Sequence, residues 1–146
     1  MPRDGLDDAA ISAVLMTTRR VAVVGASRNP ARASYEIQGL LTRIGYEVTP
    51  VNPGLAGQEL QGRRAVARLD DAAPLDMVDV FRASENVPPV VDDAIRLGAR
   101  VIWMQLGVFH EDAASRARAA GNTVVMDRCP AIELRRLRLT PFASFT

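Results

Sequence analysis

The chain has 146 residues, 48% hydrophobic and 24% charged, with a net charge of +1. That length suits one domain with a single core, spanning 1–146, and the balance excludes a disordered or fibrous class. All 18 basic residues are arginine, so guanidinium groups carry any contact to an anion, and their interleaving with acids leaves no basic face for nucleic acid. No apolar run approaches the ~18 residues of a membrane span. Arg3, Asp4, Asp7 and Asp8 precede the first apolar stripe, the wrong charge order for a secretory signal. A single cysteine, Cys129, excludes an internal disulfide, and a cytoplasmic location is expected.

In chain order, Ile11, Val14 and Leu15 share a face behind Asp7 and Asp8, predicting a helix over about 7–17 that covers the sheet. Val21-Ala22-Val23-Val24 then runs into Gly25-Ala26-Ser27 and a loop, followed by a helix over 34–44 with Ser34 as N-cap and Gly45 as stop. Strand, glycine turn and helix in succession aim backbone N–H groups and a helix N-terminus at one spot, which suits a phosphate.

The second strand, 47–52, ends in Val51-Asn52-Pro53, with no acid to take the ribose hydroxyls of NAD, and Gly25 is not followed by the other two glycines of a dinucleotide loop. A minor strand is expected over 64–67 and a stronger one over 75–82, with Asp76 and Asp79 near its ends or at a sheet edge. Pro88-Pro89 opens the next helix and Gly98 closes it. A strand over 101–106, an alanine-rich helix over 110–120, a last strand over 123–127 and a helix over 130–137 complete the alternation. His110 opens its helix with no residue to orient it as a base, and no catalytic residue is expected.

Strands joined by helix-length crossovers are parallel, so the expected fold is α/β: a Rossmann-like, doubly wound, mostly parallel sheet of five or six strands with helices on both faces. In the order 3-2-1-4-5-6 the loops after the strands gather Ser27, Asn52, Phe81, Gln105 and Cys129 along the carboxyl edge. Phe81, Trp103 and Met104 are open to two roles, core or pocket wall. Arg82 answers Asp79 or Glu85, or faces a ligand phosphate. The thiol of Cys129, at a helix start beside Arg128, is a candidate for a stabilised thiolate.

VAVVGASRNPARASYE, GYEVTPVNP, DMVDVFR, VIWMQLGV and VVMDRCP, in this order from about 19 to 137, resemble the small stand-alone CoA-binding proteins. Their domain is similar to the N-terminal CoA-binding domain of the succinyl-CoA synthetase alpha subunit. The resemblance implies a ligand, coenzyme A or an acyl-CoA, held without catalysis. Its phosphate loop falls on Gly25, Ala26, Ser27, Arg28, Asn29 and Pro30, which implies that Ser27 donates its hydroxyl and backbone N–H to a phosphate oxygen and that Arg28 or Arg32 pairs with it; its second turn falls on Asn52-Pro53, and its ligand-lining strand end on Met104, Gln105 and Leu106. An asparagine-cysteine-proline element of the ligase resembles Arg128-Cys129-Pro130. Leu55 stands where the ligase subunit tends to carry a lysine, and nothing corresponds to the ligase's second domain with its phosphorylated histidine. The alternatives are a small NAD(P)-dependent oxidoreductase and an interaction subunit with an empty nucleotide site. A homodimer or a protein partner is a generic expectation.

Overall fold

A computed structural model describes residues 2–143. Its sheet has the strands β1 (Arg20–Val24), β2 (Glu47–Val51), β5 (Met77–Val80), β6 (Val101–Met104) and β7 (Thr123–Val125), all parallel, in the order β2-β1-β5-β6-β7. Between β2 and β5 lies a short antiparallel hairpin of β3 (Glu59–Leu60) and β4 (Arg63–Arg64). Of the expected minor strand over 64–67, only Arg64 belongs to this hairpin's second arm. What remains of a sixth strand is one parallel bridge, Val51 to Val66, beside β2. Pro50 sits on this outer side of β2, where its carbonyl accepts from the Val66 N–H at 2.9 Å and its missing donor removes nothing from the β1 ladder.

Alternate side chains of each strand enter opposite faces. Ala22, Val24, Val78, Val80, Ile102 and Met104 pack under α3 (Val87–Arg96) and α4 (Glu111–Ala119). Val21, Val23, Met77, Val101, Trp103 and Val125 pack under α1 (Asp8–Thr17), α2 (Ala33–Ile44) and α5 (Pro130–Arg136). Asp7 caps α1, accepting from the Ala10 N–H at 2.9 Å. Arg32, not Ser34, occupies the N-cap of α2, and Ser34 is buried in its first turn. Gly45 ends that helix at φ +129°, with Phe142 lying against it.

Asp76 meets expectation at the start of β5, where its carboxylate accepts the N–H groups of Arg19 and Arg20 at 3.0 and 2.9 Å. Asp79 does not. It lies inside the middle strand, between Val23 of β1 and Trp103 of β6, with 0% exposure and no hydrogen-bond partner on either carboxylate oxygen. Burial pushes its pKa well above the usual carboxylate range.

The segment before α1 is tied to the far end of the sheet. Arg128 donates from Nε and Nη2 to the Asp4 carboxylate, both at 2.9 Å, and from Nη2 to the Leu6 carbonyl at 2.8 Å. Asp4 also accepts from the N–H groups of Met126 and Leu6. Burial alone would raise the pKa of Asp4, but these hydrogen bonds outweigh it and hold the carboxyl below its ordinary value.

Candidate functional site

Strand order reverses between β1 and β5, and a crevice opens at that point on the carboxyl edge. Gly25 turns the chain there at φ +92°, and a Cβ on it would stand 2.8 Å from the Phe81 carbonyl oxygen. Only glycine lets the two loops approach so closely. The N–H groups of Gly25 and Ala26 are not free for an anion, because both donate to the Val51 carbonyl, at 3.2 and 3.3 Å. Asn29 donates its N–H to Ser27 Oγ at 3.0 Å, and its own Oδ1 accepts from the Ala31 N–H at 3.0 Å. The Ser27 hydroxyl keeps its proton to donate. Ala33 and Ser34, in the first turn of α2, present N–H groups that lack a helical partner by position.

These groups border a cavity of about 450 Å³, walled by Gly25, Ala26, Ser27, Arg32, Ala33, Ser34, Asn52, Phe81 and Arg82. Asn52 fastens the wall, donating from Nδ2 to the Ala26 carbonyl at 2.8 Å and accepting from the Gly54 N–H at 2.9 Å. Arg28, Asn29 and Pro30 are exposed and outside the wall, and Arg28 instead donates to Gln58 Oε1 at 2.6 Å. A second cavity, of about 470 Å³, continues from the shared residues Ala33, Phe81 and Arg82 between α2 and α5, reaching Gln105, Leu106, Val108, Cys129 and Ile132. A third, of about 180 Å³, holds Pro53 together with Val51, Val90 and Asp70.

Arg82 lines all three cavities. Among the described residues it makes no ion pair or hydrogen bond, and so answers neither Asp79 nor Glu85. The adjoining positions sort themselves clearly. Met104 is fully buried under α3 and α4 and lines none of these three cavities, because it points to the opposite face from Gln105. Trp103 is fully buried as well, its indole N–H donating to the Arg128 carbonyl at 2.8 Å. Gln105 is 5% exposed, lines the second cavity, and carries a buried Oε1 with no partner. Leu106, 56% exposed, forms its rim.

Cys129 opens α5 without a capping hydrogen bond and faces the second cavity. The expected charge beside the thiol is absent, because the Arg128 guanidinium is turned to Asp4 and Leu6. His110 caps α4 by accepting the Ala113 N–H on Nδ1 at 3.1 Å. Ala33, Ile37, Val108 and Ile132 line the groove without having been singled out in the sequence. Of these, Ile132 alone carried a local signal, three residues after Cys129 on the same helical face. No group of three or more metal-ligating side chains occurs among the described residues, nor a helix long and apolar enough to cross a membrane.

A parallel sheet of this order, with a glycine turn, a helix N-terminus and an uncommitted arginine at its switch point, defines an α/β Rossmann-like domain with a groove along its carboxyl edge. A family model described as a CoA binding domain matches residues 19–135, and the chain belongs to that family. The uncharacterized protein YneT of Bacillus subtilis (strain 168) is 38% identical over 122 residues, covering 83% of this chain and 89% of YneT. A hypothetical protein from Pyrococcus horikoshii OT3 superposes with a TM-score of 0.88 at 34% identity, covering 95% of this chain and 97% of that one. The structure of cell-free ID.343 from Thermus thermophilus gives a TM-score of 0.85 at 35% identity, covering 90% and 99%. Membership supports coenzyme A as the class of ligand.

Proposed function

We propose that the protein binds coenzyme A or an acyl-CoA across the carboxyl edge as a carrier or sensor, without catalysing a reaction on it. The ligand's diphosphate rests in the first cavity, on the Ser27 hydroxyl, the N–H groups of Ala33 and Ser34, and the guanidinium groups of Arg32 and Arg82. Its pantetheine arm follows Phe81 into the second cavity, where Gln105 Oε1 accepts an amide N–H. The adenosine end takes the third, against Val51, Pro53 and Val90.

One observation carries this assignment: the half-buried Arg82, with no protein partner, stands where the three cavities meet. A guanidinium in that position suits the planar, bidentate geometry of a phosphate. The groove's acids are Glu36 in the second cavity and Asp70 and Asp93 in the third, and the one histidine, His110, is spent on its helix cap, so no acid stands paired with a base there. NAD is disfavoured by the end of β2, where Asn52 uses its amide to hold the loops together. Native mass spectrometry of freshly purified protein, followed by competition between CoA and NAD, tests the proposal. Retained or saturable CoA supports it. Binding of NAD with hydride transfer would replace it with an oxidoreductase, and an empty site with a co-purifying protein would replace it with an interaction subunit.

A further inference from the structure

A thiol lines the second cavity. Cys129 is the chain's one cysteine, 6% exposed, and its side chain makes no capping hydrogen bond at the start of α5. A buried cysteine of this kind is ordinarily inert packing. Here a second group points to a ligand in the same space: Gln105 Oε1, in a side chain 5% exposed, is an acceptor with no donor. Such a group costs free energy until a donor reaches it. β7, which leads to Cys129, lies three strands from β1, on the order of 14 Å along the edge from the glycine turn. An extended pantetheine arm spans that distance, and its amides pass Gln105 before its sulfur reaches Cys129. Leu106 and Ile132, 56% and 50% exposed, flank an open mouth through which the far half of a disulfide can remain in water.

Resting on the assignment of CoA to this groove, we propose that Cys129 is a site of thiol–disulfide exchange with CoA disulfide. The Cys129 thiol gives up its proton to solvent, and the thiolate attacks the sulfur of the seated CoA. The CoA–CoA disulfide breaks, a protein–CoA mixed disulfide forms, and the second CoA leaves as a thiolate that takes up a proton. No other oxidant enters.

The test uses the reduced full chain and intact mass spectrometry under non-reducing conditions. Seating the reagent raises its effective concentration at the thiol. CoA disulfide should therefore add one CoA at least about tenfold faster than glutathione disulfide at equal concentration adds one glutathione. Desulfo-CoA, which lacks the sulfur, should suppress the CoA adduct in proportion to its own binding, measured separately by calorimetry. Equal rates for the two disulfides, or an adduct that persists when desulfo-CoA is bound, overturn the exchange site and leave CoA binding intact. Absence of desulfo-CoA binding overturns CoA binding itself, and the exchange site with it.

Discussion

Asp79 offers a measurement in which ligand plays no part. Its two carboxylate oxygens are buried in the middle strand, between Val23 and Trp103, with no partner among the described residues. An unpaired polar group so placed costs about 1–3 kcal/mol even when neutral. Asp79→Val removes that cost and introduces a β-branched side chain suited to a buried parallel strand. The variant should be more stable by about 1–3 kcal/mol, or on the order of 3–10 °C in Tm for a chain of this size. The difference also depends on pH, with a sign fixed by the raised pKa. Between the unfolded value near 3.8 and the raised folded value, the native state holds a proton that the unfolded state has released. Wild-type stability from this group is thus full below the unfolded pKa and is lost as pH rises through the folded one. Urea denaturation of both proteins from acidic to neutral pH should show the advantage of Asp79→Val widening upward, while Asp79→Asn loses the pH dependence but retains an unpaired polar group. Parallel stability–pH curves for wild type and Asp79→Val, or a variant destabilised at every pH, would refute the assignment of a buried, partnerless acid.

Gly25→Ala should cost about 1–3 kcal/mol by urea melt, since φ is +92° and the new methyl would meet the Phe81 carbonyl oxygen at 2.8 Å. CoA affinity, followed by calorimetry, should fall with it. Asp4→Asn leaves the buried Arg128 guanidinium only Glu133, 3.9 Å away, as a counter-charge and should destabilise by about 1–3 kcal/mol at neutral pH. Because the Asp4 pKa is depressed, its contribution is present above the unfolded value of 3.8 and lost as pH falls through the folded one, so wild type and Asp4→Asn should converge in acid. Gln105→Leu removes a buried unpaired acceptor and should leave stability equal or higher while weakening CoA by about tenfold, the loss of one hydrogen bond. A variant that binds CoA as well as wild type would detach Gln105 from the ligand.

Much of the framework is written locally. Gly45 and Gly98 after apolar helical faces, and Pro88 and Pro130 in first turns, mark element ends through backbone restrictions that act within a few residues. The position of Asp79 escapes such a pattern, because a parallel strand buried on both faces has no polar side from which to judge depth. The same lack of alternation hides the division between Met104, which packs under α3 and α4, and Gln105, which enters the groove. Arg128 was misjudged for a different reason: its partner Asp4 is 124 residues away, and no spacing rule reaches across a chain. Which donors of the glycine turn are free is likewise hidden. Val51 takes the N–H groups of Gly25 and Ala26, a consequence of how β2 meets the turn in three dimensions.

The groove's purpose turns on Arg82, the uncommitted guanidinium that lines all three cavities. Calorimetric titration of CoA into wild type and Arg82→Ala, with urea melts to confirm equal folding, tests this directly. Saturable binding at one site per chain, weakened about 10- to 100-fold in Arg82→Ala as the loss of a charge-assisted hydrogen bond requires, is the predicted result. No heat of binding in wild type, or equal affinity in the two proteins, would contradict it.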